Sequence, residues 1–145
     1  MMLTTGFVIA TQRHAEPGFF EFALLGPSMK ASDYPSDVVV TQPITLLVFV
    51  VNRMAEIERI RITMRIGNAD LPTERLAVAT EQQFELESQE ELIATFRFTL
   101  SQFGFTQNGS YRVVFELYRS TTDPSNASSW SFTGLWLQIW LNARE

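Results

Sequence analysis

The sequence predicts an all-β domain built as a two-sheet antiparallel sandwich, and three observations favour this fold class. The apolar runs are short and end at Gly, Pro or clusters of small polar residues, as strands do. Several runs alternate apolar and polar residues, which is the period of a half-buried strand. Almost no stretch has the period of a helix. The 145 residues have the size of one domain. We divide them into a leader, 1–17, and a sandwich domain, 18–145.

The leader allows three interpretations. Residues 3–10 are apolar but too short to span a bilayer, and no basic segment or small-residue cleavage site marks a signal peptide. The leader is therefore a flexible extension, the remnant of a membrane segment, or a strand that residues 3–12 add to a neighbouring subunit. Membrane association would run through this segment or through a partner.

The first half of the domain contains four predicted strands. Residues 18–25 form the first, which ends at Gly26, and residues 38–40 form a short edge strand. Residues 44–51 are apolar and rich in β-branched side chains, which predicts a strand buried on both faces. Residues 57–66 alternate, so that Ile60, Ile62, Met64 and Ile66 face the core while Arg59, Arg61, Thr63 and Arg65 face outward.

The middle of the domain is less regular. Residues 71–79 and 84–86 predict two shorter strands, and the acidic stretch 81–91 predicts a solvated edge and a turn. Residues 92–100 then form a clear strand whose Leu92, Ala94, Phe96 and Phe98 face the core.

The central strand is predicted at residues 110–119. Tyr111, Val113, Phe115 and Leu117 share its inner face, and Arg112, Val114, Glu116 and Tyr118 its outer face. Tyr111 follows Asn108 and Gly109 at the strand start, as in the tyrosine corner of immunoglobulin-like sandwiches. Residues 120–129 form a polar hairpin loop, and 130–142 the last strand, in which Leu135, Leu137, Ile139 and Leu141 share one face. About seven strands at this spacing predict an immunoglobulin-like, two-sheet antiparallel β-sandwich.

One outer face combines cations with aromatic rings. In the immunoglobulin arrangement the third, sixth and seventh main strands are neighbours. Their outward residues give a candidate interaction face: Arg59, Arg61, Arg65, Arg112, Tyr118, Trp136, Gln138 and Trp140. The pattern allows a self-contained surface in which arginine side chains cover the rings. It equally allows a platform for a partner or a sugar, with Gly134 as a notch beside the tryptophans.

A second pattern lies between residues 21 and 52. Leu25-Gly26-Pro27, Lys30-Ala31 and Tyr34-Pro35 precede a buried strand that ends in Val51-Asn52. This segment resembles the soluble domain of membrane proteins catalogued as domain of unknown function 1616. The family-motif loop is Gly26, Pro27, Lys30, Tyr34 and Pro35.

The resemblance implies a sandwich outside the cytoplasmic membrane, in the cell envelope or at the cell surface. In that family preceding transmembrane helices carry the soluble part, and this sequence contains no complete segment of that kind. No catalytic residues are established for the family, so none is transferred. The loop itself reads as structural, because Gly26-Pro27 makes a turn and Pro35 restricts Tyr34 to extended geometry.

The composition argues against several chemistries. The chain has no cysteine, and its one histidine, His14, lies in the leader. No Ser-His-acid triad, phosphate-binding loop or metal-ligand spacing is present in the sequence, so we predict no enzyme, no metal and no cofactor. The formal net charge of −5 disfavours nucleic acid as a partner.

The sequence leaves three functions open. The first is a non-catalytic extracytoplasmic sandwich that contacts a protein partner, or has a structural role, at the cell surface. The second is a carbohydrate-binding module that stacks a glycan on Trp136, Trp140 and Tyr118. The third is a self-assembling surface subunit that uses the N-terminal segment as an added strand.

Overall fold

The computed structural model describes the backbone of residues 8–11 and, with side chains, residues 18–26, 36–120 and 129–145. These residues form nine strands and two short 3-10 turns, Thr73–Arg75 and Ser101–Phe103. The strands are β1 (Val8–Thr11), β2 (Phe20–Leu25), β3 (Asp37–Val39), β4 (Ile44–Asn52), β5 (Glu58–Asn68), β6 (Ala77–Leu86), β7 (Glu91–Phe98), β8 (Gly109–Ser120) and β9 (Trp130–Arg144).

The strands form two sheets with the order β1-β2-β4-β7 and β3-β9-β8-β5-β6. All neighbours are antiparallel except β3 and β9, which pair in parallel at Asn142–Arg144. The immunoglobulin-like sandwich is therefore confirmed, as are the central position of β8 and the predicted adjacency of β5, β8 and β9. The described residues form nine strands rather than about seven: seven long strands, the predicted edge strand β3, and β1, which lies in the leader.

The core lies between the sheets and has the composition that the alternation predicts. The predicted inward residues of β5, β8 and β9 are all buried, and they belong to one hydrophobic cluster with the inner faces of β2, β4 and β7. Phe96 of β7 and Phe115 of β8 join the two sheets, with ring centroids 5.0 Å apart. β4 is buried on most of both faces, as its continuous apolar run predicts, since Leu47 and Val51 of its other face are also buried.

The prediction of two weak strands at 71–79 and 84–86 is wrong for residues 71–76 and for the break between the two strands. Residues 77–86 form one edge strand, and a 3-10 turn precedes it. Leu71 and Leu76 do not alternate across a sheet. They pack instead over Gly67, where a Cβ atom would lie 2.8 Å from Leu76 Cδ2. The apolar residues of this connection thus cover one end of the five-stranded sheet from outside.

A buried amide joins the sheets near the end of β4. Asn52 is fully buried, and its Nδ2 donates to the carbonyl oxygens of Glu56, Leu86 and Glu87 at 3.0–3.2 Å. Its Oδ1 accepts a hydrogen bond from the Met54 amide. β4 and Leu86 belong to different sheets, so this side chain fixes their relative position.

The tyrosine corner is confirmed. Tyr111 is buried, and its hydroxyl donates to the carbonyl oxygen of Gln107 at 2.9 Å. The ring packs against Phe105, with centroids 5.0 Å apart. The corner therefore anchors the segment before β8 to the strand itself.

Some predictions fall on residues outside the described part. They are the family-motif loop beyond Gly26, the hairpin loop at 121–128 and most of the leader. Within the leader, Val8–Thr11 pairs antiparallel with β2 of the same chain, so strand donation to a neighbour would require this pairing to be exchanged. In the described residues, no helix is long and apolar enough to cross a membrane.

Candidate interaction face

The candidate residues lie together on the outer face of the five-stranded sheet, as the alternation predicts. Register pairs place Arg61 beside Tyr118, Glu116 beside Trp136 and Arg112 beside Trp140. Their inward neighbours are buried in the core. We call this surface the outer face. It comprises Arg59, Arg61, Thr63 and Arg65 of β5, Arg112, Val114, Glu116 and Tyr118 of β8, and Trp130, Phe132, Gly134, Trp136, Gln138 and Trp140 of β9.

At one end of the outer face, the terminal nitrogens of Arg112 donate within the protein, whereas its Nε is buried without a hydrogen-bond partner in the described structure. Arg112 Nη2 donates to the Leu71 carbonyl oxygen at 2.5 Å, and its Nη1 donates to Gln138 Oε1 at 2.9 Å and Thr73 Oγ1 at 3.2 Å. The acceptors come mainly from the connection between β5 and β6, which lies over this end. Arg112 therefore has a structural role. We call this region, with Arg65 and Gln138, the Arg112 end.

Arg65 is also held within the fold. Its Nε donates to Glu116 Oε1 at 2.7 Å, and its Nη1 donates to the Leu76 carbonyl oxygen at 2.9 Å. The hydrogen bond to Glu116 raises the pKa of Arg65 above its ordinary value, against the opposing effect of burial. Glu116 is buried, and it also accepts a weaker hydrogen bond from the Tyr118 hydroxyl at 3.3 Å. This ion pair stabilises the centre of the sheet.

The other end of the outer face is arranged differently. The Arg61 guanidinium lies over two rings, with its Cζ 4.7 Å from the Tyr118 centroid and 5.1 Å from that of Trp130. The Tyr118 ring also packs against Phe132, with centroids 5.3 Å apart. Arg61 has no hydrogen bond or ion pair with any described residue, and its buried Nε has no acceptor there. We call Arg61, Tyr118, Trp130 and Phe132 the Arg61 end.

The aromatic residues of β9 form an exposed row. Phe132 is 46% exposed, and Trp136 and Trp140 are each 45% exposed. The cation–π contacts of the described residues leave Trp136 and Trp140 uncovered, because the Arg61 side chain takes Tyr118 and Trp130 instead. The sequence interpretation missed Trp130 and Phe132, although the same alternation, extended toward the start of β9, would have found them.

Gly134 interrupts the row at an irregularity of the β8–β9 pairing. The register shifts between Glu116 and Tyr118, so that β9 has extra residues opposite Leu117. Gly134 has a φ of +88°, a conformation that favours glycine. Thr133 fixes the bulge, because its Oγ1 donates to the Leu117 carbonyl oxygen at 2.7 Å. Gly134 is therefore part of a bulge in β9, and the notch beside the tryptophans stays a prediction.

An ion pair also closes one end of the core. Arg119 of β8 donates to both carboxylate oxygens of Glu58 of β5, at 3.1 and 2.9 Å, and its guanidinium lies 5.9 Å from the Phe20 ring. Burial nevertheless raises the pKa of Glu58 above its ordinary value, because loss of solvent outweighs the attraction of Arg119. The pair covers apolar surface, and nothing about it indicates a reaction.

A cleft of about 380 Å³ opens on the other side of the sandwich, between β6 and β7. Its floor is made by the core residues Met64, Phe96 and Phe98. Gln82 crosses it and donates to the Thr95 carbonyl oxygen at 2.8 Å, which joins the edges of the two sheets. In the described part of the chain, no group of three or more His, Cys, Asp or Glu side chains could hold a metal ion.

No protein-family model matches the sequence, and no curated protein matches it either. Solved structures resemble the fold at low sequence identity. A β-glucosidase from Listeria innocua aligns with a TM-score of 0.60 and 14% identity, over 88% of this chain. The chain spans only 16% of that enzyme, so the likeness is to a small part of it.

Two smaller neighbours match over most of their length. The CARDB domain of the PF1109 protein from Pyrococcus furiosus, solved in complex with di-metal ions, has a TM-score of 0.57 and 15% identity, over 91% of this chain and 98% of that domain. The C-terminal domain of wzt has a TM-score of 0.53 and 10% identity, over 96% of this chain and 78% of that one. At these identities the likeness shows the fold alone, an all-β sandwich that other proteins use as a small domain.

Proposed function

We propose that this chain is a non-catalytic, extracytoplasmic β-sandwich domain that contacts a partner protein at the cell surface through its outer face. The observation that carries the proposal is the row of half-exposed aromatic side chains on β9, Phe132, Trp136 and Trp140. Aromatic side chains are enriched in protein interfaces, and grouped exposed apolar residues mark interaction sites.

The arginines near the aromatic row of β9 would form the polar rim of such an interface. Arg59 is exposed, and Arg61 is half-buried at the same end of the sheet as Phe132. Arginine is enriched in interfaces together with tryptophan and tyrosine, and these residues supply most of the binding energy measured in alanine scans. A rigid sheet also presents them without a large ordering cost on binding.

The non-catalytic part of the proposal rests on the arrangement of the polar groups. At the Arg112 end, arginine, glutamate and glutamine side chains hydrogen-bond one another or the backbone, which suits stabilisation of the fold. The two small neighbours with the same fold are each one domain of a named protein, the PF1109 protein and wzt. The extracytoplasmic location rests on the resemblance of residues 21–52 to domain of unknown function 1616, with anchoring through the N-terminal segment or through a partner.

Site-specific photo-crosslinking in the source cells tests this proposal. A photo-crosslinking phenylalanine derivative replaces Trp136, and the matched control carries it at Thr95, an exposed position on the other sheet. We expect irradiation to give a discrete protein adduct from position 136 and none from position 95. Protease treatment of intact cells then reports whether the domain is accessible from outside. Equal adducts from both positions, or none from 136, would contradict the proposal.

A second candidate, glycan binding, is favoured by one observation: Trp136 and Trp140 expose their rings on the same strand with Gln138 between them. Tyr118 contributes less than the sequence suggests, because Arg61 and Phe132 already pack on it. Titration of soluble cell-wall oligosaccharides against tryptophan fluorescence tests the candidate. Saturable quenching that is lost in Trp136→Ser and kept in Trp130→Phe would support it, and no quenching would remove it.

A further inference from the structure

Arg61 stands out among the half-buried arginines of the described residues. Four of the five use their donors within the fold: Arg53 on Glu21 and Gln89, Arg65 on Glu116, Arg112 on Leu71 and Gln138, and Arg119 on Glu58. Arg61 contacts only the rings of Tyr118 and Trp130. A cation–π contact uses the charge of the guanidinium but none of its N–H groups. Arg61 can therefore still donate hydrogen bonds to a ligand.

The polar atoms around Arg61 are unsatisfied too. Arg61 Nε and Thr63 Oγ1 are both buried without a hydrogen-bond partner in the described structure, and both belong to the outer face of β5, two positions apart. Thr63 is only 3% exposed. Buried polar groups are normally paired, because leaving one unpaired is costly, so such groups call for an explanation by a water or a ligand.

The two terminal nitrogens of Arg61 are not among the buried unpaired atoms and have no hydrogen-bond partner among the described residues. They can therefore meet a ligand from solvent. A guanidinium presents parallel N–H groups that match the two oxygens of one carboxylate. The rings of Tyr118 and Trp130 restrict the side chain, which lowers the entropic cost of binding.

We propose that Arg61 is the anion-binding residue of the outer face and takes an Asp or Glu carboxylate from an acidic, apolar segment of the partner protein. The inference rests on the proposed function and names the chemistry of its partner. Phe132, packed on Tyr118 and half-exposed, supplies the apolar surface beside the cation. Because the whole chain has a net charge of −5, the recognition is local rather than driven by long-range attraction.

The test uses the ¹⁵N-labelled protein and a small probe, 3-phenylpropanoate, which combines a carboxylate with one ring. Loss of a single Nε–Hε signal in Arg61→Lys assigns the Arg61 resonance. We expect this signal to shift saturably with half-saturation on the order of a few millimolar, as suits a probe of this size. The neutral amide, 3-phenylpropanamide, has the same ring without the charge, and we expect it to cause no saturable shift of the Arg61 signal.

Two variants make the titration specific. Arg61→Gln should weaken probe binding, followed through the amides of β8 and β9, at least about tenfold, as loss of a charged hydrogen bond would. Arg59→Gln is the matched control, since Arg59 is exposed on the same strand and face and has no cation–π partner among the described residues, and it should leave affinity within twofold. Phenyl phosphate distinguishes a general anion site, and binding much tighter than that of the carboxylate would overturn the assignment.

Several results contradict the inference. They are an unresponsive Arg61 signal, an equal response to the neutral amide, or equal weakening in Arg59→Gln. If the probe fails while the crosslink from position 136 persists, the carboxylate assignment is wrong and the proposed function stands. If the crosslink fails and the probe binds, the proposed partner contact is wrong and Arg61 is still a carboxylate-binding residue.

Discussion

Both ends of the outer face contain half-buried arginines at outward positions of the strands, yet the two ends differ in what those arginines contact. At the Arg112 end, Arg65 and Arg112 donate to a carboxylate, an amide oxygen and two backbone carbonyl oxygens. At the Arg61 end, Arg61 lies over two rings and donates to no described residue. The nearby aromatic side chain Phe132 is half-exposed.

Among the described residues, the difference comes from the connection between β5 and β6, which covers the Arg112 end. The connection between β5 and β6 packs Leu71 and Leu76 over Gly67 and brings its carbonyl oxygens to the arginines. An arginine that donates to backbone carbonyl oxygens stabilises the fold. One that contacts only aromatic rings has N–H groups that can still donate to a ligand. Residue type and spacing therefore locate a surface, but the acceptors decide which part of it is available for a partner.

Removing Arg112 should affect stability more than the changes at Gly67 and Glu58 that follow. Arg112→Met leaves the carbonyl oxygen of Leu71 and the side chain of Gln138 without their donor, so we expect unfolding to become easier by about 1–3 kcal/mol. Urea denaturation measures the loss, and amide hydrogen exchange should rise across residues 71–76. Arg59→Met, an exposed control on the same sheet, should stay within about 0.5 kcal/mol of the parent protein. An equally small loss for Arg112→Met would show that the connection does not depend on it.

A methyl group at Gly67 tests whether the covering connection depends on close approach. Gly67→Ala places a Cβ only 2.8 Å from Leu76 Cδ2, and Leu76 is buried. Because overpacking forces a shift, we expect a loss of about 1–2 kcal/mol in the free energy of unfolding. In Gly109→Ala the nearest atom is 3.7 Å away, so this control should show little steric cost. Similar losses in both variants would argue against tight packing under the connection.

The smallest effect is a pH dependence at the end of the core. The folded-state pKa of Glu58 is raised, so between its ordinary pKa and the raised value the folded protein binds more protons than the unfolded chain. The free energy of unfolding should therefore gain a contribution as pH falls through this window and lose it as pH rises. Glu58→Gln should flatten this part of the profile, measured by urea denaturation at a series of pH values. Glu85→Gln, which removes an exposed carboxylate, controls for net charge. An unchanged slope in Glu58→Gln would contradict the assignment.

The sequence predicted most of the fold because its signals are local. Alternation in β5, β8 and β9 was enough to separate Ile60, Phe115 and Leu137 from the outward residues, and the position of Tyr111 before β8 was enough to predict its corner. The connection at 71–76 was misread as a strand, because Leu71 and Leu76 are apolar for a tertiary reason, their packing on Gly67.

The sequence predicted which residues lie on the outer face, but it did not predict the contacts that these residues make. Alternation placed Arg61, Arg65 and Arg112 on one surface, and the structure agrees. Which ring each arginine would cover depends on the pairing register and the bulge at Gly134, which no local pattern specifies. Of the two alternatives that the pattern left open, covering by arginine applies to Tyr118 and Trp130, while Trp136 and Trp140 stay exposed.

A matched pair of variants tests the central claim most directly. The claim is that Arg65 donates hydrogen bonds within the fold, whereas Arg61 donates none to the described residues. Arg61→Met and Arg65→Met make the same substitution on the same face of β5, and urea denaturation compares their free energies of unfolding. We expect Arg65→Met to cost about 3 kcal/mol, because it leaves the buried Glu116 carboxylate without its partner. Arg61→Met should cost about 1 kcal/mol, the value of its contacts with the two rings. Equal losses for the two variants would contradict the account, since Arg61 would then belong to the fold as much as Arg65 does.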